Sequence, residues 1–371
     1  MQARCSVEVV HSDEDLSSLA DDWNRLSENV EPRNAFSTYG WFRAWTQHFT
    51  TEDRTGSSQP YVLVLKQGGK IVGISPFKMR IASRLAFPVR KLEFVTIHAD
   101  YNQLVLGNNE AGLTDVLVDY LARTSSQWDL VDLRDLPDIG DGNALLKRAL
   151  ARNGLHFGVS AEENSCPYLP IDGDAAHHLK KLSGHVRRVL RRRSEQAESE
   201  GFKVRMIEHP EQEPGLLETM IALESKKHLR SEYPPFLAGI PDVFQALFDS
   251  LGPRGWLYVA LLERGTEAIA FQFGFRCGDK LWDYNKAYDS AYSRIAPGTL
   301  LLPPLIDYCF QHGYREYDFL RGEEPYKLVW STGSHCRSRY LIWNRRWLSR
   351  MRKFVYVDLK PALYRLVRRK A

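Results

Sequence analysis

Residues 284–330 read YNKAYDSAYSRIAPGTLLLPPLIDYCFQHGYREYDFLRGEEPYKLVW, and this stretch decides the predicted fold. Its first residues continue a strand pattern that covers Leu281–Ala287. An apolar helix pattern follows over Leu300–His312, and a short strand, Tyr317–Leu320, closes the segment. A strand, a helix and a second strand in this order predict an α/β or mixed α+β architecture.

The turn between the first strand and the helix is RIAPGT, residues 294–299. Proline presets the backbone there, and glycine permits a conformation that other residues resist. Such a turn can direct the free N–H groups at the start of a helix toward an anion such as a pyrophosphate, and Arg294 adds a positive charge. Pro-Gly before a helix is also a common turn that binds nothing, so both interpretations stay open.

Large side chains occupy every second position of the strand before this turn: Trp282, Tyr284, Lys286 and Tyr288. Period-two spacing predicts that these four side chains share one face of the strand. Such a face is typical of a ligand cleft, and equally typical of an ordinary amphipathic sheet.

The closing strand carries one charged residue, Asp318, among apolar neighbours. A polar cluster follows it in a loop: Arg321, Glu323, Glu324, Tyr326 and Lys327. Charged groups crowded at a strand's end can shift one another's pKa values and act as acid or base. The alternative is an ion-paired loop in which Asp318 caps a neighbouring backbone group.

The same order of elements occurs in the first half of the chain. Strands, a helix and a closing strand are predicted there at Tyr61–Leu65, Ile71–Phe77, Leu113–Ala122 and Leu130–Leu133, and the second half opens with strands at Trp256–Leu262 and Ala268–Phe275. The letters repeat as well, since LVDY at 117–120 matches LIDY at 305–308. A repeat this long indicates duplicated domains rather than a solenoid. The predicted divisions are 1–175, 176–345 and a tail, 346–371.

The composition excludes several classes of protein. A net charge of +4 and a pI of about 8.7 are too mildly basic for a dedicated nucleic-acid binder. The five scattered cysteines predict neither a disulfide framework nor a zinc site, and no other metal is expected. Residues 1–16 lack the apolar core of a signal peptide, and no stretch has the roughly 20 apolar residues of a membrane span. A cytoplasmic protein is therefore expected.

Basic residues are concentrated at two places. A predicted helix over Leu179–Gly201 carries RRVLRRR at 187–193, and Gly201 is a plausible stop. A solvated basic helix is the default interpretation; an anionic partner such as a cofactor phosphate, a lipid surface or RNA is the alternative. The tail 347–370 alternates apolar with basic residues, so it either packs on the protein or docks on a membrane or a synthase complex.

The run from Trp256 to Trp343 resembles CelD/BcsL-type acetyltransferases, which belong to the GNAT superfamily and are linked to cellulose and other exopolysaccharide synthesis. The matching features are Ala287-Tyr288-Asp289, Ser293-Arg294 with Pro297-Gly298, YDFLRG at 317–322, EEPYK at 323–327 and Trp330. NAFS at 34–37 and Trp41-Phe42 extend the resemblance to the first half, so that it covers most of residues 5–345.

This resemblance implies two tandem GNAT-like domains of the FemABX type, each a mixed, mostly antiparallel sheet flanked by helices. It implies acyl transfer from acetyl-CoA or another acyl-CoA to an amine or hydroxyl of a sugar or cell-envelope precursor. The donor would lie along Arg294, Pro297, Gly298, Thr299 and Leu300, although Pro297 replaces the first glycine of the usual loop. The expected base or acceptor-orienting groups are Asp318 and Glu323. Tyr326 is the expected proton donor, with Lys327, Trp282, Tyr284, Lys286 and Tyr288 contacting substrate.

Two other functions remain open at this point. The duplicated fold and the basic cluster 187–193 also suit a FemABX-type aminoacyltransferase that uses aminoacyl-tRNA, although the long helical hairpin of many such enzymes is missing from the pattern. The basic tail suits a non-catalytic module of a polysaccharide-synthesis complex. Filter binding of charged tRNA and membrane pelleting, respectively, separate these functions from the first.

Overall fold

The computed structural model describes residues 5–52, 58–82, 88–174, 180, 182–227 and 235–344. The chain forms two compact units. Unit 1 takes Met1–Phe42, Phe49–Glu163 and Cys336–Ala371, and unit 2 takes Arg43–His48 and Asn164–His335. The predicted tail, 346–371, lies outside the described residues.

Strands and helices alternate along the whole described chain. Up to residue 161 they are β1 (Cys5–Val10), α1 (Asp13–Ser18), α2 (Ala20–Asn29), α3 (Tyr39–Glu52), β2 (Ser58–Gln67), β3 (Lys70–Ala82), β4 (Val89–Phe94), β5 (Val105–Leu106), α4 (Glu110–Arg123), β6 (Leu130–Pro137), α5 (Gly142–Arg152) and β7 (His156–Ala161). From residue 166 they are β8 (Cys166–Pro170), α6 (Gly184–Ser199), β9 (Phe202–Ile207), α7 (Leu216–Lys227), α8 (Phe236–Gly239), α9 (Pro241–Leu251), β10 (Leu257–Arg264), β11 (Glu267–Cys277), β12 (Lys280–Tyr288), α10 (Pro297–Gln311), β13 (Glu316–Asp318), α11 (Pro325–Trp330), β14 (Gly333–His335) and β15 (Arg337–Trp343).

Each unit contains one mixed sheet. The order in unit 1 is β1-β2-β3-β4-β6-β15-β7, with β5 on β3, and the order in unit 2 is β14-β8-β13-β12-β11-β10-β9. The pairs β4–β6 and β12–β13 are parallel, and the other described pairs are antiparallel. Each parallel pair is joined by a crossover that contains a helix, α4 or α10. The predicted fold, two α/β halves with mostly antiparallel sheets, is confirmed.

Two strands are exchanged between the halves of the sequence. β8 follows β7 along the chain but pairs with β13 in unit 2. β15 comes last but lies between β6 and β7 in unit 1. The unit boundaries therefore fall at 163/164 and 335/336, whereas the sequence pattern suggested 175/176 and 345/346. A pattern of alternating strands and helices carries no information on which sheet a strand joins.

Helices cover the apolar face of each sheet. In unit 1 the side chains of α4 and α5 pack with Leu63, Val131 and Ile342. In unit 2 the apolar helix α10 packs with Tyr258, Leu281 and others from its sheet. Among the described residues, no helix has both the length and the apolar character needed to cross a bilayer.

The predicted basic helix is confirmed as α6. Its N-cap Ser183 accepts a hydrogen bond from the Val186 N–H, and Gly201, two residues after its end, has a φ of +82°. Leu190 and Ala197 are buried, so the side of α6 that carries them packs against the core of unit 2.

Candidate active site

β12 pairs with β13 only over the first residues of β12. Lys280–Trp282 pairs with Glu316–Asp318, and β12 then continues to Tyr288 with β11 as its neighbour and without β13. The Asp289 N–H donates to the Ile269 carbonyl at 2.9 Å. In an antiparallel pair, successive N–H groups point alternately to the two edges of a strand. The amides of Lys286 and Tyr288 therefore point to the edge of β12 away from β11, where β13 has ended. The divergence of the two strands leaves a gap lined by backbone donors.

A β-bulge changes which side chains face this gap. The β11–β12 register shifts between Phe273 and Gly274, which pair with Asn285 and Asp283, so Tyr284 is the extra residue. The prediction that Trp282, Tyr284, Lys286 and Tyr288 share one face is therefore wrong. The Tyr284 ring packs against Phe236, Phe273 and Phe275 on one face, with Trp282, while Lys286 and Tyr288 lie on the other.

Gly274 is the residue that accommodates the bulge. A Cβ atom on it would overlap the Trp282 carbonyl oxygen and lie 2.7 Å from the Tyr258 ring. A glycine inside a strand often marks a bulge or a close backbone approach. This signal was present in the sequence, and it could have corrected the assignment of faces.

The gap opens into a cleft of about 520 Å³ within unit 2. One wall is α6, and the others are the end of β12, the start of α10 and the helix α11. The polar and glycine residues that line it are His185, Arg193, Lys286, Tyr288, Ser293, Gly298, Thr299 and Tyr326. Val186, Val189, Leu302, Val329 and Trp330 are among its apolar residues. This combination of an apolar surface with a few convergent polar groups is typical of a small-molecule site.

Lys286 and Tyr326 line the cleft, and the buried Asp283 pairs with Lys286 behind them. The Lys286 Nζ donates to Asp283 Oδ2 at 2.8 Å and lies 3.8 Å from the centre of the Tyr326 ring. Burial lowers the pKa of Lys286 because it disfavours the ammonium, and the Asp283 carboxylate opposes that shift. Burial also raises the pKa of Tyr326, and the charges of Asp283 and Glu324 add to the effect. Tyr326 therefore keeps its proton at neutral pH.

The start of α10 forms one end of the cleft. Its N-cap, Ala296, has a left-handed conformation (φ +53°) and makes no side-chain hydrogen bond to the helix. A Cβ atom added to Gly298 would meet no atom within 4 Å, so the space beside it is open. In unit 1 the corresponding helix, α4, differs because the Asn109 side chain caps the Gly112 N–H. At the start of α10 Pro297 has no N–H and the Thr299 N–H donates to the Ala296 carbonyl at 2.8 Å, so the Gly298 N–H is the donor that remains beside the cleft.

The remaining predicted donor residues lie apart from this opening. Arg294 is exposed, and its guanidinium lies 3.5 Å from the Glu200 carboxylate. Leu300 is buried in the core of unit 2. Neither is among the described residues that line the cleft, whereas Gly298 and Thr299 are. Pro297 is the first residue of α10, where its missing N–H costs no helix hydrogen bond.

Asp318, Glu323 and Lys327 are engaged with their own loop. Asp318 is buried, and its Oδ1 accepts from the Leu320 N–H at 2.7 Å. Glu323 is exposed and accepts from the Ser165 hydroxyl at 2.8 Å. The Lys327 Nζ donates to the Arg321 carbonyl at 2.7 Å. None of the three lines the described cleft, and their catalytic or substrate-binding roles stay predictions.

One group of three potential metal ligands occurs among the described residues: Glu316, Asp318 and His335. Glu316 Oε1 already accepts from Lys280 at 2.8 Å and lies 3.1 Å from His335 Nε2. The Tyr168 ring stacks on the His335 imidazole at 4.1 Å. Because Glu316 pairs with Lys280 and His335, and Asp318 accepts from the Leu320 N–H, we interpret the cluster as an ion-paired strand end and assign no metal to it.

Two cleft residues and the partner of a third were missed or under-weighted from the sequence. Asp283, which pairs with Lys286, was not singled out, because period-two spacing without the bulge puts it on the face opposite Lys286. His185 carried no motif. Arg193 was only one of five arginines in the basic cluster, and the structure separates it from the others by placing it in the cleft. Its position three residues after Leu190, on the apolar side of α6, was the signal that could have identified it.

Residues 184–328 match the sequence model of a family described as "Acetyltransferase (GNAT) domain". This segment contains β12, α10 and most of the cleft. The matched segment lies within unit 2, which is therefore similar to GNAT-type acetyltransferase domains, and the match supports acyl transfer in general without specifying donor or acceptor. No curated protein matches the chain significantly.

Solved structures resemble the chain over nearly its full length. FemX has a TM-score of 0.62 and 13% identity, and the alignment covers 94% of this chain and 99% of FemX. A protein of unknown function from Bacteroides thetaiotaomicron has a TM-score of 0.56 and 12% identity, covering 91% and 100%. The C-terminal domain of a putative lysylphosphatidylglycerol synthetase from Agrobacterium fabrum has a TM-score of 0.52 and 12% identity, covering 89% and 92%. At these identities the likeness shows the fold alone, which is FemX-like.

Proposed function

We propose that the chain is an acyl-CoA-dependent N- or O-acyltransferase that acts in the cytoplasm on a sugar or cell-envelope precursor, with acetyl as the expected acyl group. The observation that carries this proposal is the open cleft in unit 2, where the uncapped start of α10 faces the diverging edge of β12. The GNAT family match over 184–328 supports the reaction class. The resemblance to CelD/BcsL-type acetyltransferases supports the acceptor class.

The two ends of the cleft suit the two ends of a thioester donor. The Gly298 N–H and the positive end of the helix dipole at the start of α10 favour an anion such as a pyrophosphate, and Arg193 adds a positive charge to the lining of the cleft. The amides of Lys286 and Tyr288 at the free edge of β12 can donate to the thioester carbonyl. There they would stabilise the negative charge that develops on the carbonyl oxygen.

Proton transfer is assigned to the Lys286–Asp283 pair. As the acceptor amine or hydroxyl attacks the thioester carbon, neutral Lys286 takes its proton and Asp283 stabilises the resulting ammonium. The carbon–sulfur bond breaks, and coenzyme A leaves as a thiolate. A thiol has an ordinary pKa of about 8.5, below that of Tyr326. Tyr326 therefore donates a hydrogen bond to the thiolate, and the proton reaches the sulfur later from Lys286 or solvent.

Calorimetric titration with acetyl-CoA, longer acyl-CoAs and free coenzyme A tests the donor. The key variant is Gly298→Ala, since the open space at Gly298 means that a methyl group strains nothing in the protein itself. The added methyl group should keep the anion of the donor from hydrogen-bonding to the start of α10. Loss of one hydrogen bond to a charged group costs about 1.5–3 kcal/mol, so the affinity for the donor should fall about tenfold or more. Thermal stability should be unchanged.

Gly239→Ala is the matched control, because an added Cβ there also meets nothing within 4 Å and Gly239 lies away from the cleft. It should leave donor affinity unchanged. Absence of binding by every acyl-CoA and by coenzyme A would refute the donor assignment.

A second candidate is an aminoacyltransferase that uses aminoacyl-tRNA. It is favoured by four exposed arginines on α6, at 187, 188, 191 and 192. Filter binding of charged tRNA, with a steep dependence on salt, would support it over the acyl-CoA enzyme.

A further inference from the structure

The outer surface of α6 carries an arginine face, which we define as Arg187, Arg188, Arg191 and Arg192. All four side chains are exposed, on the side of the helix opposite Val186, Val189 and Arg193 in the cleft. Arg191 lies 3.8 Å from Glu195, a solvent-exposed pair of little energetic weight. Within the described part of the chain, Arg188 and Arg192 make no ion pair. The arginine face is thus a concentrated and largely uncompensated positive charge.

The opposite wall of the same cleft exposes aliphatic side chains. Leu328 is 55% exposed and Val329 is 46% exposed, and both lie on the outer side of α11. Tyr326 and Trp330 occupy its inner side. Val329 also lines the cleft, so this apolar pair borders the opening. Few large apolar side chains are this exposed among the described residues, and two of them adjoin each other here.

An exposed basic helix face and an exposed apolar pair, on two helices that line the same cleft, match the chemistry of an anionic bilayer. Arginine side chains are attracted to the negative headgroups, and exposed aliphatic groups gain by entering the boundary of the acyl chains. A nucleic acid would use the arginines, but it has no phosphate contact for Leu328 and Val329. Charge alone does not distinguish the two partners, and the apolar pair favours the bilayer.

We propose that the arginine face of α6 and the Leu328–Val329 pair of α11 dock unit 2 onto an anionic lipid bilayer beside the cleft. Docking would present the cleft to an acceptor held at the membrane surface. This inference goes beyond the proposed function, because membrane binding is measured without donor or acceptor. It therefore stands or falls separately from the transfer reaction.

Co-sedimentation of the full chain with vesicles tests the proposal. The wild-type protein should bind vesicles of phosphatidylcholine with 30% phosphatidylglycerol, and bind pure phosphatidylcholine vesicles at least tenfold more weakly. Each basic side chain near such a surface contributes about fivefold, so Arg188→Gln/Arg192→Gln should weaken binding about 25-fold. Leu328→Ser should weaken it further and leave the salt dependence intact, since it removes no charge.

The matched control is Arg123→Gln/Arg152→Gln, which removes two exposed arginines of unit 1 that pair with Asp119 and Asp115. This variant should bind like the wild type. Thermal melting of every variant confirms folding, and the exposure of all these side chains makes retention of the fold the expected result.

Four results would overturn the proposal. The first is equal binding to both kinds of vesicle. The second is a loss of vesicle binding in Arg365→Glu/Arg368→Glu/Arg369→Glu but not in Arg188→Gln/Arg192→Gln, which would assign membrane contact to the C-terminal residues. The third is a loss of tRNA affinity in Arg188→Gln/Arg192→Gln without a loss of vesicle binding. The fourth is a loss of acyl-CoA affinity alone, which would make the arginines part of the donor site.

Discussion

At the scale of single residues, the reaction depends on the protonation state of Lys286. Its ammonium lies between the Asp283 carboxylate and the Tyr326 ring, both of which favour the charge. Burial disfavours it and lowers the pKa. A base must lose its proton before it can act, so the lowered pKa brings the active, neutral form closer to physiological pH.

The first prediction concerns Lys286→Arg. Arginine keeps the positive charge and cannot act as a base, because its guanidinium does not lose a proton in this range. We expect kcat/KM to fall about 10²–10⁴-fold. In the wild type kcat/KM should rise with pH, with a midpoint below the ordinary lysine value of about 10.4, and the variant should lose this rise. Lys203→Arg, at an exposed position on β9, is the control. An unchanged pH profile in Lys286→Arg would contradict the assignment.

The second prediction separates two roles of Asp318. Its carboxylate accepts from the Leu320 N–H, and Leu320 has a φ of +54°, so the side chain stabilises an unfavourable backbone. Asp318→Ala leaves that buried N–H unpaired and should lower the free energy of unfolding by about 1–3 kcal/mol, measured with urea. Asp318→Asn keeps an acceptor oxygen and should cost much less. A loss of activity in Asp318→Asn without a loss of stability would support the catalytic role predicted from the sequence.

At the scale of elements, hydrophobic periodicity predicted most strands and helices of both units, including α6 with its stop at Gly201. The spacing of apolar residues indicates which side chains are buried, and burial of those side chains stabilises a helix or a strand. The same spacing failed at Tyr284, because period-two reasoning assumes that no residue is inserted. One inserted residue reverses the face of every side chain after it. Lys286 lines the described cleft, whereas Trp282 and Tyr284, which were grouped with it, lie on the other face of the sheet; a role for Lys286 in substrate binding stays a prediction.

The third prediction tests the bulge through Gly274→Ala. The added Cβ would overlap the Trp282 carbonyl and press on the Tyr258 ring, so either the backbone shifts or the bulge is lost. Forced packing of this kind costs about 1–3 kcal/mol, and more where the backbone must move. Thermal melting and urea unfolding should show this loss, while Gly239→Ala should not. If Gly274→Ala is as stable as the wild type, the described register at Gly274 is incorrect.

At the scale of the whole molecule, the duplication was predictable and the strand exchange was not. The repeated order of elements can be predicted from local sequence patterns. The partner of β15, by contrast, depends on contacts between residues about 200 positions apart in the sequence, such as Ile342 with Val131. The described cleft lies entirely in unit 2, and the assignment of the transfer chemistry to this half of the chain stays a prediction. Its position could be predicted because strand, turn and helix are contiguous there.

The fourth prediction follows from the place of β15. Ile342 is fully buried in unit 1 between Val131 and Phe157. Ile342→Ala should cost about 2–5 kcal/mol. Hydrogen exchange should then show loss of amide protection in β6 and β7, hundreds of residues before the substitution, while β10–β12 stay protected. Val159→Ala, at a position 39% exposed on β7, is the control. Equal loss in both sheets would mean that the two units unfold as one.

Because β15 lies between β6 and β7, the sheet of unit 1 can be completed only near the end of synthesis. The ribosome releases β6 and β7 about 180 residues before β15, which at about 5–20 residues per second is a wait on the order of ten to forty seconds. During that time the two strands lack the neighbour that separates them, and their free edges can pair with other chains. A chain whose translation stops before residue 337 never fills the gap. Fragments that end before residue 337 should therefore bind ribosome-associated chaperones more than the full-length chain does. Unit 1 should become stable only once β15 has been synthesised.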